Sequence, residues 1–340
     1  ERTVTKNLGI DYGFLEGRIS GAIDIYESNT NNIQRITLPG AGGIGSALVN
    51  LGNVNNKGLE IALSTVNIDR SGTRGGFRWT SDFAFSTNKE AITELNDRGV
   101  DDIAQQWFYG QPVRSYWDFK NQGIFQYTDT LAGGILKDYF WKKAGRNNAN
   151  FQPGRIRVED LNGDTVITDA DRVILGSPNP KWTGSWNNTF SYKGFDLTSF
   201  VYISRGSLVR DFRPGLVGRY PGLKVNYWTP TNPSNEYQQP NRTSDIPLYW
   251  QSLSFRDGSF IRVRSIQLAY HVPASFLNRF SLSNMTVSFI AVNPFLFSKY
   301  ERYDPETVPY NSTYPQGSTS NPAPNSYSYR SFVFGLRMGL

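Results

Sequence analysis

Single-residue alternation between apolar and polar side chains dominates this sequence and limits what it can fold into. Ile23 and Ile25 enclose Asp24, and Phe83 and Phe85 repeat the same period of two. This period is typical of β-strands with one apolar and one polar face, and helical periods are nearly absent. About nine such segments occur, starting at Val4, Arg18, Leu59, Phe77 and Lys181 and covering 195–204, 259–271, 285–293 and 330–340.

The composition excludes several other classes of protein. The chain has 340 residues, no Cys and one His. It therefore has no disulfide framework, no thiol nucleophile and no metal site built from several His side chains. No apolar run approaches the roughly 18 residues of a membrane-spanning helix, although alternating strands remain compatible with a membrane β-barrel.

The lengths of the segments and of their connections favour such a barrel. Each segment has roughly 9–11 residues, enough to cross a bilayer at a tilt. The connections are alternately short and long, and the long ones cover 27–53, 87–180, 205–258 and 294–329. Bacterial outer-membrane barrels have short periplasmic turns and long extracellular loops. Aromatic rings, which favour membrane boundaries, cluster near segment ends at Tyr12, Phe14, Tyr26, Trp79, Trp182, Trp186, Tyr192 and Tyr270.

We therefore predict an all-β fold, an antiparallel transmembrane β-barrel segment in the lipid of the bacterial outer membrane. The polar faces are expected to line a wet interior with Arg18, Asp24, Arg78, Asp82 and Lys181. A one-residue slip of the pattern between Val263 and Ile266 predicts a β-bulge. Because single-chain bacterial barrels use an even number of strands, we expect the sheet to continue into strands outside this sequence. An even barrel with a hairpin hidden in 87–180 is the alternative.

Several short motifs occur in a distinctive order along the chain. They are L-G-N-V-N-N-K-G-L-E at 51–60, Y-G-Q-P at 109–112, G-I-F at 123–125, V-E-D-L-N-G-D at 158–164, F-I-R-V-R at 260–264, Y-D-P-E at 303–306 and F-G-L at 334–336. Their sequence and order resemble the SusC/RagA family of TonB-dependent outer-membrane transporters, over nearly the whole chain.

The resemblance implies that the chain is the C-terminal part of a barrel of about 22 strands. In this family the barrel imports large nutrients, such as oligosaccharides (glycans) or peptides, beneath a SusD-like lipoprotein. Coupling to the TonB complex would run through an N-terminal part that this sequence lacks. A SusC-like barrel kept as a structural subunit without transport is the alternative. A soluble all-β carbohydrate-binding protein is a third possibility.

The longest predicted loop, 88–180, contains a calcium-type motif at 160–171. Asp160, Asn162 and Asp164 have the spacing of side-chain ligands, Val166 that of a carbonyl ligand, and Asp171 that of the closing carboxylate. Thr165 stands where such loops prefer Gly, and a polar turn without metal is the alternative. We predict a structural Ca²⁺ here, outside the membrane.

Aromatic side chains in the long loops are the other candidate site residues. They are expected either to contact substrate or partner, or to pack within the loops, and the candidates are Trp107, Tyr109, Trp117, Trp141, Trp228 and Trp250.

Other motifs carry little function. The G-x-G-x-x-G pattern at 40–45 lacks the strand and helix that a dinucleotide site needs, and is predicted to be a loop. His271 is expected at the end of a strand beside a periplasmic turn rather than in a catalytic site. No motif supports nucleic-acid binding, and we predict no enzymatic activity.

Overall fold

A computed structural model describes residues 1–31, 34–37, 47–50, 52–72, 76–95, 100–103, 105–130, 152–164, 166–211, 225–240, 248–280, 282–301, 303–308 and 328–339. In chain order the strands are Arg2–Phe14 (β1), Ile19–Asn31 (β2), Gln34–Thr37 (β3), Ala47–Asn50 (β4), Asn53–Asp69 (β5), Arg78–Glu94 (β6), Tyr116–Phe119 (β7), Asn121–Ile124 (β8), Ile156–Val158 (β9), Arg172–Gly176 (β10), Trp182–Tyr192 (β11), Phe195–Arg205 (β12), Leu208–Arg210 (β13), Phe255–Asp257 (β14), Phe260–His271 (β15), Asn284–Ser298 (β16) and Ser331–Gly339 (β17). A single helical turn, Ala274–Leu277, follows β15.

Nine long strands form one antiparallel sheet, in the order β1-β2-β5-β6-β11-β12-β15-β16-β17. Each strand pairs with the next long strand along the chain, as expected for an up-and-down barrel wall. This confirms the predicted number of strands. Their lengths reach 17 residues in β5 and β6, beyond the predicted 9–11, because these strands continue past their apolar stretches at the loop side.

One face of the sheet is apolar across all nine strands. Directly opposite residues share a face, so the register defines rows across the sheet. One row runs through Tyr12, Gly21, Leu63, Phe83, Trp186, Val201, Val263 and Phe295. A second row runs through Phe190, Leu197, Leu268, Phe289 and Phe334.

This apolar face is uncovered in the described structure. Ile25 is 57% exposed and Phe334 is 81% exposed. A water-soluble sandwich would bury such rows against a second sheet. The exposed rows are instead the lipid-facing side of a transmembrane barrel wall, and we call this side the outward face.

The predicted bulge in β15 is confirmed, because its register shifts between Val263 and Ser265. A second bulge lies in β5, where the register shifts between Val66 and Ile68. The Arg18 guanidinium donates to the Val66 oxygen at 3.1 Å and to the Asn67 oxygen at 3.0 Å. Arg18 thereby stabilises the bulge.

The alternation of short and long connections is also confirmed. At one end of the sheet the strands are joined by 15–18, 70–77, 193–194 and 272–283. The tightest of these turns uses Lys193 and Gly194 in the left-handed region, with φ of 48° and 83°. The long connections all lie at the opposite end, which we assign to the extracellular side because bacterial outer-membrane barrels have their long loops there.

Aromatic rings cluster near the short-turn ends of several strands, as predicted, whereas Trp186 lies in the middle of β11 rather than at its end. Phe190 stacks on Phe77 at 6.4 Å and on Trp79 at 5.6 Å between ring centroids, and Phe195 packs on Tyr270 at 4.4 Å. No helix in the described parts of the chain has the length and apolar character needed to span a membrane.

Candidate substrate region at the extracellular mouth

The long extracellular loops have secondary structure and a core of their own, which the alternating pattern did not predict. β7 pairs with β10, β8 with β9, and β13 with β14, and none of these short strands joins the nine-stranded sheet. Within the described residues, the hairpin alternative for 87–180 therefore adds no strand to the wall. The predicted loop 88–180 lies between β6, which ends at Glu94, and β11, which begins at Trp182.

A hydrophobic cluster joins the loop after β6 to the loop after β12. Its buried members are Phe119, Ile124, Ile156, Val158, Trp228 and Trp250. The Trp228 Nε1–H donates to Gln126 Oε1 at 2.8 Å. Gly154, at φ +88°, packs beneath this ring, where a Cβ would lie 2.6 Å from Trp228 Cε3. The two loops thus form one packed body above the barrel wall.

A buried ion pair links the same two loops. Asp118 on β7 and Arg210 on β13 have side chains that are each 5% exposed, with 3.6 Å between Oδ2 and a guanidinium nitrogen. Arg210 also donates to Gln251 Oε1 at 3.0 Å. Burial raises the pKa of Asp118, although a backbone hydrogen bond and the charge of Arg210 partly oppose this.

The predicted aromatic site residues fall into different environments. Trp228 is 2% exposed and Trp250 is 7% exposed, so both rings are packed inside the loop body. Trp117 stacks beneath the Arg172 guanidinium at 4.9 Å. Trp107 packs against a small buried cluster where β5 and β6 meet the long loops. Tyr109 is 57% exposed. Trp141 lies outside the described residues.

A cleft of about 770 Å³ opens where β6 and β11 meet the loops. It is lined by Asn88 and Glu90 of β6, by Lys181 and by Asp257, among others. Glu90 Oε1 accepts a hydrogen bond from the Val113 N–H at 2.7 Å. Sequence reasoning missed this cleft, because its walls come from five separate parts of the chain.

Asp257 keeps its negative charge in this cleft. Hydrogen bonding from Ser259 outweighs partial desolvation and holds the pKa of the Asp257 carboxyl below its ordinary value. The cleft therefore presents both signs of charge at neutral pH, together with amide groups suited to polar polymers.

The inward face of the sheet carries most of the polar residues predicted there. Asp82 accepts from the Ser64 hydroxyl at 2.7 Å and from the Asn187 amide at 3.3 Å. Asp24 accepts from the Asn7 amide at 3.2 Å. Arg78 pairs with Asp69 near the periplasmic end, at 3.5 Å. These hydrogen-bonded groups give the wall a hydrophilic inner surface.

Two motifs that the sequence displays separately meet at the mouth. Arg262, on the inward face of β15 and 1% exposed, forms an ion pair with Asp304 and lies 3.5 Å from Glu306 Oε2. Arg264 pairs with Glu306, and the Ser328 hydroxyl donates to Asp304. The F-I-R-V-R strand thereby holds the Y-D-P-E segment against the barrel wall. We call this arrangement the arginine latch.

Burial of Asp304 raises its pKa, but hydrogen bonds from Ser328 and Arg262 and the charge of Arg262 outweigh this effect. The pKa of Asp304 therefore lies below its ordinary 3.8. Asp304 is ionised at neutral pH, which keeps the buried Arg262 paired.

Both carboxylate oxygens of Asp171 accept hydrogen bonds from backbone N–H groups of the calcium-type loop. Its carboxylate is fully buried, and Oδ1 accepts from the Leu161 N–H at 3.0 Å while Oδ2 accepts from the Thr168 N–H at 2.7 Å. Burial and the charge of Asp171 raise the pKa of nearby Tyr249 to about 12.

The other predicted ligands form a run of tight turns. Oδ1 of Asp160, Asn162 and Asp164 each accepts a backbone N–H two or three residues further on, at 2.7–2.9 Å. The described part of the chain contains no group of three or more His, Cys, Asp or Glu side chains arranged to hold a metal ion. These hydrogen bonds within the loop define its turns.

His271 ends β15 at the periplasmic side, where the sequence placed it. Its Nε2 lies 2.8 Å from Asp196 Oδ2 and its Nδ1 lies 3.2 Å from Thr286 Oγ1. These contacts join three neighbouring strands at the rim of the inward face.

The apolar outward face, the alternating loops and the hydrophilic inner face define a segment of a bacterial outer-membrane β-barrel. No family model matches the sequence. The chain is 28% identical to TonB-dependent receptor P3 of Formosa agariphila over 98% of its own length and 33% of that protein. It is 25% identical to TonB-dependent receptor SusC of Bacteroides thetaiotaomicron, over 99% of the chain and 32% of SusC.

The solved structure of the RagAB peptide importer in its open-open state has a similar fold. The TM-score is 0.74 at 19% identity, covering 99% of this chain and 34% of that one. The chain is thus a homologue of TonB-dependent receptors of the SusC/RagA type. It spans about a third of the length of the curated relatives it matches.

Proposed function

We propose that the protein to which this segment belongs imports large nutrients, oligosaccharides or peptides, across the outer membrane in a TonB-dependent manner. The observation that carries this proposal is a hydrophilic inner wall behind an apolar outward face, in a chain homologous to TonB-dependent receptors along 98% of its length. The segment would supply part of the pore wall. The cleft beside Glu90 and Lys181 would provide polar contacts along the entry path.

We further propose that a SusD-like lipoprotein covers the extracellular mouth. The similarity to SusC and to the RagAB peptide transporter supports this. The loop body around Trp228 offers a rigid surface for such a lid, since its core is already packed.

Uptake by cells that carry or lack the full-length gene tests the import proposal. Fluorescent oligosaccharides and peptides are offered to wild-type, deletion and complemented strains. Import predicts that uptake of one substrate is lost on deletion, is restored by the full-length protein, and stops when a protonophore dissipates the proton gradient. Unchanged uptake together with the loss of associated outer-membrane proteins would favour the structural-subunit alternative.

We also propose that the loop 160–171 binds a structural Ca²⁺. The oxygen-rich turns of Asp160, Asn162 and Asp164, closed by the buried Asp171, support it. Ca²⁺ should raise the unfolding temperature of the full-length protein in detergent, whereas Mg²⁺ at equal concentration should not. Asp164→Ala should remove the Ca²⁺ response. A wild-type protein indifferent to Ca²⁺ would leave the loop as a metal-free turn.

A further inference from the structure

A row of charged side chains crosses the outward face on the loop side of its apolar part, which we call the apolar band. The register places Lys6 opposite Glu27, Glu27 opposite Lys57, and Lys57 opposite Lys89. The next row towards the periplasm consists of Leu8, Ile25, Leu59 and Thr87. Three neighbouring strands thus change from apolar to charged at the same level, and β6 changes there from Thr87 to Lys89.

The depth of this row matches the extracellular boundary of the membrane. On β5 the outward apolar side chains extend from Leu59 to Ile68, nine residues further on. At about 3.3 Å per residue and a tilt of about 40°, this stretch spans roughly 23 Å of the bilayer. An outer-membrane barrel has an apolar band about 25 Å tall. Lys57 therefore lies where lipid headgroups begin.

Within the described residues, this row carries an excess of positive charge. Glu27 pairs with Lys57 at 3.1 Å and has Lys6 on its other side. Lys89 is exposed, and the structure shows no ion pair for it in the described part of the chain. Three lysines and one glutamate leave a net charge of +2. Lys57 and Lys89 stand directly opposite one another, an arrangement that is destabilising unless an anion lies between them.

An aromatic ring lies at the same boundary of the outward face. Trp182 packs on Phe85 at 5.8 Å, at the top of the outward apolar face. This ring at the boundary, with the ammonium groups of Lys57 and Lys89 above it, matches the acyl-to-headgroup transition of a lipid.

We propose that Lys6, Lys57 and Lys89 bind the phosphate groups of an anionic lipid headgroup on the outside of the barrel. The ligand is membrane lipid rather than a transported solute, because the three side chains share the outward face with the apolar band. The site therefore stands independently of the import function. Lipid phosphate would screen the mutual repulsion of the lysines, and the bound lipid would anchor the wall at the extracellular boundary.

The test uses the full-length protein in dodecyl maltoside micelles, with and without diphosphorylated lipid A. Binding is followed by the rise in unfolding temperature as lipid A is added. Lys89→Gln should bind lipid A about fivefold more weakly. In lipid-free micelles the same variant should unfold at an equal or higher temperature, because its repulsion with Lys57 is gone. A purely structural lysine would not produce this pair of opposite effects.

Two control variants and two control ligands sharpen the result. Lys89→Arg should retain lipid A binding, and Lys193→Gln, the same charge change at the periplasmic end, should leave it unchanged. Phosphatidylcholine and inorganic phosphate should each stabilise the protein less than lipid A. Equal lipid A affinity in wild type and Lys89→Gln would overturn the proposal. An equal response to inorganic phosphate would also overturn it, since it would identify a site for free phosphate.

Discussion

At the scale of single residues, the arginine latch makes the most demanding electrostatic arrangement in the described structure. Arg262 is 1% exposed, and an arginine at that depth is stable only while it is paired. Asp304 and Glu306 supply the negative charge. The latch thereby fixes the beginning of the last long loop, 299–330, against the inward face of β15.

The latch should open in acid. Because the pKa of Asp304 is lowered in the folded state, the stabilisation that its carboxylate contributes to the latch is complete above the ordinary pKa of 3.8. That contribution is lost as the pH falls through the lower, folded value. Pepsin cleavage of the loop 299–330 in the full-length protein should therefore accelerate steeply below about pH 4. In Asp304→Asn, cleavage should already be fast at pH 4 and change little on further acidification; a wild-type rate independent of pH would contradict this role.

The assignment of individual residues to the outward or the inward face can be tested by substitution with Lys. Ile23 lies on the outward face near the middle of β2, and Ile23→Lys should cost about 2–4 kcal/mol of barrel stability. Ser20, three residues earlier, lies on the inward face, and Ser20→Lys should be tolerated. The yield of folded, heat-modifiable barrel in membranes measures both. Equal yields for the two variants would refute the assignment of the faces.

At the scale of elements, the sequence identified the strands of the wall well and the loop body poorly. Strands of the wall, such as those that contain Ile23 and Ile61, alternate between apolar and polar residues within their own sequence. They do so because one side of the wall faces lipid along its whole length. β7, β9 and β13 have only three or four residues, and each pairs with a segment distant in sequence. Such short strands carry no periodic signal.

The same distinction explains the candidate site residues. Trp228 and Trp250 were singled out because they are aromatic residues in loops, but a sequence does not show which loops pack together. Their burial depends on Phe119 and Ile156, roughly a hundred residues away. The arginine latch was visible only as two separate motifs.

The Asp118–Arg210 pair tests whether the two loops form one body. Asp118→Asn leaves the buried guanidinium of Arg210 without its countercharge and should destabilise the loop body by about 3 kcal/mol. Trypsin should then cleave the loops faster, with the barrel strands still protected. Lys120→Gln, which removes an exposed pair with Glu159, should change the cleavage rate little. Loops that stay equally resistant in both variants would show that the ion pair does not join them.

At the scale of the whole molecule, the fold places the short connections on one side of the membrane and the long connections on the other. A chain without Cys allows this orientation to be probed at single positions. Tyr109 is 57% exposed in the loop after β6, and Lys193 lies in the tight turn at the other end. In the full-length protein, Tyr109→Cys should react with a membrane-impermeant maleimide on intact cells.

Lys193→Cys should react only after the outer membrane is permeabilised, because its turn faces the periplasm. The unsubstituted protein measures any background labelling. The opposite pattern would invert the barrel, and with it the placement of the loop body, the arginine latch and the lysine row on the extracellular side. Labelling of both positions on intact cells would mean that the sheet does not separate two compartments, and the membrane assignment of the outward face would fail with it.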